Sequence, residues 1–265
     1  MILALETSTT AASAVVVDAD GGLRGASRST DGPLQARRLL EGVHEALNAA
    51  GIALDEVTTI VCGLGPGTFT GLRIGVATAR ALAQAAGLPL AGVPSLEALA
   101  RGLAADAAGA NEAGASAGAA QATAAPANAA PATAAHFVPL IDGRRNEVFA
   151  AVYRRGLPPN GAGLESVVGL TVVGAAALPE FLGRWPGAVV GGDGAALHAD
   201  LLPAAVAFAR AVAGPSALMV ARGFLAGSPA ITRGFADTLP LYGREPDALP
   251  RVRGGFAAPN RRPSP

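Results

Sequence analysis

The chain has 265 residues, 51% of them apolar, and its 20 basic residues balance 20 acidic ones. That length and composition supply the core of one large domain or two modest ones and exclude a disordered chain. Zero net charge removes bulk electrostatics as a means of holding nucleic acid. The single cysteine, Cys62, excludes an internal disulfide and reads as a small core residue at the end of an apolar run. No basic, apolar leader opens the sequence and no twenty-residue apolar span follows, so a soluble cytoplasmic protein with no membrane partner is expected.

Met1 to Leu5 reads as an apolar strand, Glu6 to Thr10 as a polar turn, and Ala12 to Asp18 as a valine-rich strand. Asp18 to Gly22 is a hairpin turn, and Leu23 to Ser29 pairs back as a third strand. Pro33 suits the first turn of a helix in which Leu39, Leu40, Val43, Leu47 and Ala50 keep helical spacing, and Gly51 closes it. Thr58 to Cys62 is a charge-free, β-branched run typical of a strand covered on both faces. Gly63, Gly65, Pro66 and Gly67 then turn the chain into a long helix capped by Thr68 or Thr70 and ended by Gly87.

Gly67, Gly71, Gly75, Ala79 and Ala83 recur every four residues and form one nearly bare column along that helix. An interior glycine costs roughly 1 kcal/mol against alanine, so another backbone must come unusually close. Spacing leaves two sources open: an element of the same domain, or a helix of another subunit. The loop itself is no familiar phosphate cradle. A Walker loop needs a lysine and the chain has none, and Gly63, Gly65 and Gly67 do not give the dinucleotide spacing.

The block Gly65-Pro66-Gly67-Thr68-Phe69-Thr70-Gly71-Leu72-Arg73-Ile74-Gly75, with the opening Ile2 to Thr9, resembles the TsaB (YeaZ) family. Weaker likeness continues through Asp142 to Phe149 and Pro240 to Arg244. The resemblance implies an α/β, actin-like ATPase (ribonuclease H-like) fold of two lobes built from duplicated βββαβα units. It also implies a non-catalytic dimerisation subunit of the machinery that makes N6-threonylcarbamoyladenosine at position 37 of tRNAs. The expected partners are a TsaD-like catalytic subunit and a TsaE-like ATPase, with a homodimer when the chain is alone and tRNA met only through the complex. No cofactor is expected on this chain; metal and ATP belong to the partner subunits. The interface expected on this reading comprises Gly67, Phe69, Thr70, Gly71, Arg73, Ile74, Gly75 and Thr78, with Leu39 and Val43 from the preceding helix.

After Pro89 to Val93, a strand, and a helix capped by Ser95, residues 104 to 135 hold no apolar side chain larger than alanine and read as a flexible insertion. Strands are expected at Phe137 to Ile141, Glu147 to Tyr153, Leu170 to Val173 and Ala188 to Val190. Helices are expected at Leu178 to Trp185, Ala195 to Leu202 and Ser216 to Ala226. The domains are therefore drawn as a first lobe at 1–103, the insertion at 104–135, a reduced second lobe at 136–250 and a basic tail at 251–265.

The alternative is an ATPase or kinase of the same fold, for which Glu6, Gly192, Asp193 and Gly194 stand in plausible nucleotide-site positions. A metal of the TsaD kind would need a His-x-x-x-His pair on the helix after Pro33, where Gln35 and Leu39 stand instead. His44, His136 and His198 lie far apart, and no Gly-x-Ser-x-Gly nucleophile motif occurs. A direct tRNA-binding module, resting on Arg37, Arg38, Arg73, Arg80 and the tail, is the third reading. Asp142, Arg144, Arg145 and Glu147 read as a turn held by Asp-Gly geometry, and Tyr242 and Arg244 carry no assigned role.

Overall fold

A computed structural model describes residues 1–29, 38–109, 133–156 and 163–244. The start of the helix after Pro33, most of the alanine-rich insertion and the whole basic tail lie outside them.

Five buried or half-buried runs build the first sheet: β1 Ile2–Glu6, β2 Ala12–Val17, β3 Leu23–Ser29, β4 Thr59–Gly63 and β5 Leu90–Val93. Their order is β3-β2-β1-β4-β5, antiparallel through the meander and parallel from β1 onward. The parallel half is apolar on both faces because helices cover both. On one side lie α1 Leu39–Ala50 and α2 Phe69–Ala86, which close a core with Leu3, Leu5, Ile60 and Cys62. Both end as the sequence indicates, on left-handed glycines, Gly51 at φ 69° and Gly87 at φ 66°.

The second half repeats the plan with β6 His136–Arg144, β7 Glu147–Arg155, β8 Leu164–Gly174, β9 Val189–Gly191 and β10 Ala207–Phe208. Their order, β8-β7-β6-β9-β10, is that of the first sheet. Short helices α4 Leu178–Gly183 and α5 Asp193–Leu197 cover its outer face, where Val138, Leu140, Val148, Leu178 and Leu182 are buried.

Between the sheets lie α3 Ser95–Ala107 and α6 Ala217–Leu225, and they are exchanged. Helix α3 comes from the first half yet packs on β6, β7 and β9, while α6 comes from the second half and packs on β1, β2, β4 and β5. One core therefore runs from Val15 and Val61 through Leu99, Leu103 and Val220 to Phe137 and Ile141. After α6 the chain stays with the first sheet, adding β11 Thr232–Arg233 beside β5. Within the second lobe drawn at 136–250, Ala217–Leu225 and Thr232–Arg233 thus lie on the first sheet.

Candidate functional site

The site begins where β1 leaves the sheet. Glu6, Thr7 and Ser8 are all buried, and the chain there lies directly beneath the N-terminal half of α2. Thr68 N–H donates to the Ser8 carbonyl at 2.7 Å, and the Thr7 hydroxyl donates to the Gly71 carbonyl at 2.8 Å. A methyl group on Gly67 would meet the Ser8 carbonyl oxygen at 2.0 Å, one on Gly71 the Thr7 carbonyl oxygen at 2.2 Å, and one on Gly75 the Thr7 hydroxyl at 2.0 Å. The column continues inward through Ala79 and Ala83, both buried in the core with Leu3 and Leu5.

The close approach inferred from spacing is therefore made by the chain's own backbone just after β1. Gly67, Gly71 and Gly75, expected at a partner interface, face Thr7 and Ser8 instead. Leu39 and Val43 are likewise consumed, buried at 3% and 4% exposure under α1. The other expected interface residues point outward: Phe69, Thr70 and Arg73 are exposed, and Ile74 and Thr78 are half-buried. Ala77 and Ala81, not singled out by the sequence, are exposed on the same side, and Leu40 of α1 is exposed too.

A strap formed by the chain after β11 borders that outer face. Leu241 N–H donates to the Leu64 carbonyl at 2.7 Å. The Tyr242 ring lies 5.3 Å from that of Phe69, and the Arg73 guanidinium sits 3.8 Å over Phe69 while its Nε donates to the Tyr242 hydroxyl at 3.1 Å. Arg80 donates to the carbonyls of Phe235 and Thr238. Arg244 donates to the Gly143 carbonyl at 2.9 Å and pairs with Glu147, tying the strap to the β6–β7 turn. Tyr242 and Arg244 thereby gain roles the sequence did not disclose: they fasten the chain's last described turn across both lobes. The arginines invoked for direct tRNA contact are engaged at home, Arg73 and Arg80 on the strap and Arg38 with Glu41 at 2.7 Å. Arg37 and the tail lie outside the described residues.

Neither half of the expected nucleotide site is open. Glu6 accepts from Ser8 N–H at 2.6 Å and from the Ser95 hydroxyl at 2.8 Å, and Ser95 accepts in turn from Gly65 N–H at 3.1 Å. Ser95 is thus the first residue of α3 with its hydroxyl committed to Glu6, where a helix cap was expected. Burial raises the Glu6 pKa, opposed by those hydrogen bonds. A carboxylate enclosed in this way anchors the glycine loop. In the second half, a methyl on Gly192 would meet the Leu140 carbonyl oxygen at 2.2 Å, and Gly194 lies against Leu140 and Ile141, so these glycines serve packing against β6. The Asp193 carboxylate accepts from Asp142 N–H at 3.1 Å and Gly194 N–H at 3.0 Å. Burial pushes its pKa up to about 6, with the Asp142 charge adding to the rise. Cys62 is a core residue whose thiol burial pushes to about 12. No group of three His, Cys, Asp or Glu able to hold a metal occurs among the described residues.

The fold and the matches to known proteins agree. A family model described as TsaD, tRNA N6-adenosine threonylcarbamoyltransferase, matches residues 35–127. An uncharacterized Mycobacterium leprae protein is 43% identical over 102 residues, 37% of this chain and 28% of its own length. The tRNA threonylcarbamoyladenosine biosynthesis protein TsaB of Escherichia coli is 41% identical over 66 residues, 25% of this chain and 29% of its own length. The match thus spans less than a third of either relative. The solved structure of YeaZ from Pseudomonas aeruginosa superposes with a TM-score of 0.63 at 26% identity, covering 91% of this chain and 98% of that one. The chain is a two-lobed α/β protein of the actin-like ATPase fold. Within that fold it is similar to the TsaB and YeaZ proteins.

Because the glycine column is seated on its own backbone, Gly71→Leu or Gly75→Leu is expected to lower stability by roughly 3 kcal/mol or more, the cost of forced overpacking against groups that cannot yield. Urea denaturation checks this, and wild-type stability in both variants would contradict the seating. Burial lifts the Asp193 pKa from its ordinary 3.8 to about 6 in the fold, so between these values the native state binds the proton more tightly. Its ionisation costs stability above that window, and the cost fades as pH falls through it. Asp193→Asn, which keeps an acceptor for both N–H groups, should exceed the parent at neutral pH by on the order of 2 kcal/mol. The difference should close toward about pH 4 in paired denaturation curves.

Proposed function

We propose that this chain is the non-catalytic scaffold subunit that pairs with a TsaD-type catalytic subunit in making N6-threonylcarbamoyladenosine at position 37 of tRNA. The names of the curated relatives and the TsaD family match support a place in that complex. The observation that carries the reading is the outer face of α2. It is a helix surface of Thr70, Ile74, Ala77, Thr78 and Ala81 with one charge, Arg73, and it runs beside the exposed Phe69. Small side chains let a second helix approach closely, and an aromatic and an arginine at one end give such an interface its anchors.

On this reading the catalytic metal and nucleotide reside on the partners, a TsaE-type ATPase joins the pair, and the same α2 face closes a homodimer when the TsaD-type subunit is missing. The enclosed Glu6 carboxylate and the packed Gly192 and Gly194 favour the scaffold over an ATPase or kinase of the same fold. The proposed setting is the cytoplasm, where tRNA is modified; among the described residues no helix is long and apolar enough to cross a membrane.

The double substitution Ile74→Asp with Ala77→Glu places two carboxylates on the outer face without touching the column beneath. It should leave the thermal transition within a few degrees of the parent and weaken association with the organism's own TsaD-type subunit at least about a hundredfold, a loss on the order of 3 kcal/mol. Light scattering and titration calorimetry read both. Parental affinity in the double variant would overturn the assignment.

A further inference from the structure

The β6–β7 turn borders a cavity of about 710 Å³, within the roughly 300–1,000 Å³ typical of small-molecule sites. Its polar wall is formed by Arg144, Arg145, Asn146, His198 and Asp200, and Leu197 and Leu201 contribute apolar surface. None of these residues belongs to the α2 face.

Three independent features distinguish this cavity from an ordinary surface depression. The first is the backbone. The sequence suggests Asp142-Gly143 as the turn pair, yet Arg144, Arg145 and Asn146 take φ of 62°, 54° and 60°, the left-handed region where glycine is at ease and a Cβ is crowded. A hairpin turn of this kind favours Asn-Gly or Asp-Gly at its centre. Here the chain bears the strain with side chains present, and all three of those side chains line the cavity. Strain of this sort persists where the surrounding structure holds it and clusters at ligand sites.

The second feature is His198. It is only 8% exposed, and its Nε2 meets no hydrogen-bond partner among the described residues, although it lines a cavity bordered by polar groups. A buried ring nitrogen left unsatisfied is destabilising until something supplies its hydrogen bond. The third is charge. The Asp142 carboxylate, which also borders the cavity, is committed to Arg144, accepting from its N–H at 2.8 Å and lying 3.1 Å from its Nη1. That pairing offsets the Asp142 charge, and the Arg144 side chain remains 57% exposed with further donors. Paired guanidinium groups match the oxygen geometry of phosphate.

We propose that this cavity binds a small phosphate monoester. The phosphate lies on the Arg144 and Arg145 guanidinium groups and the Asn146 amide. The organic part covers Leu197 and Leu201 and supplies the hydrogen bond that His198 Nε2 lacks, with Asp200 accepting from its hydroxyls. This site stands apart from the scaffold role and does not depend on a TsaD-type partner.

Calorimetric titration of the full chain with ribose 5-phosphate, adenosine 5′-monophosphate and inorganic phosphate tests the proposal, with ribose and adenosine as unphosphorylated controls. At least one ester should bind with Kd below about 1 mM, at least about tenfold tighter than inorganic phosphate and than its own control. The double variant Arg145→Gly with Asn146→Gly relieves the left-handed strain, so its melting temperature should equal or exceed the parent's while its ester affinity falls at least about tenfold. Three results would overturn the site: no ester binding below about 1 mM, equal affinity in the double variant, or inorganic phosphate binding as tightly as the esters, which marks an adventitious ion only.

Discussion

The contact on which the molecule turns is the one between the end of β1 and the first two turns of α2. Strand β1 is the central strand of its sheet, paired to β2 on one side and β4 on the other, so its exit fixes where the polar Glu6-Thr7-Ser8 backbone emerges. Helix α2 reaches that backbone only because Gly67, Gly71 and Gly75 carry no side chain where Ser8 and Thr7 stand. The gain is more than proximity. Two hydrogen bonds across the contact satisfy the Thr7 hydroxyl and the Ser8 carbonyl, groups that would otherwise be buried unpaired. Glu6 works from below, holding Ser8 N–H and, through Ser95, the amide of Gly65. The glycine loop is thus organised by side chains of β1 and α3 together, which makes it a rigid platform and not an open phosphate cradle.

Seating the inner face of α2 so firmly decides what its outer face is free to do. A helix held along one side by its own lobe presents the opposite side with little conformational freedom, and a partner loses less entropy in docking against it. The strap from β11 to Arg244 completes this arrangement. It packs Tyr242 against Phe69 at one end of the exposed face and pins itself to the β6–β7 turn of the other lobe. The exchange of α3 and α6 between sheets has the same effect on a larger scale. Each lobe is covered by a helix from the other half of the chain, so the two share one core.

Much of this was legible in the residues. The charge-free apolar run from Ile2 and the β-branched one from Thr59 are strands because only central, doubly covered strands lack a polar face, and Gly51 and Gly87 end their helices in the left-handed geometry they suggested. The bare column on α2 was also legible, but not its partner, because a four-residue repeat of small side chains looks the same from a strand of the same lobe as from another subunit. The cue that could have decided it is Thr7-Ser8, small hydrogen-bonding residues at the end of the sheet's central strand. Leu39 and Val43 were misplaced for a related reason: an apolar stripe states that a face is covered and not by what. The two-residue strands β10 and β11 carry no periodicity to find, and the exchange of α3 and α6 depends on contacts between elements distant in sequence. Tyr242 and Arg244 gain meaning only once the strap has crossed both lobes.

The division of α2 into a seated face and a presented face is open to a direct measurement by thiol labelling, since the native Cys62 is buried and its thiol is held protonated. A cysteine introduced at Ala77 should react rapidly in the isolated chain and slow at least about tenfold when a TsaD-type subunit is added, while one introduced at Ala79 should resist labelling in both states. Rapid labelling at Ala79 in the isolated chain, or reactivity at Ala77 that the partner leaves unchanged, would contradict that division.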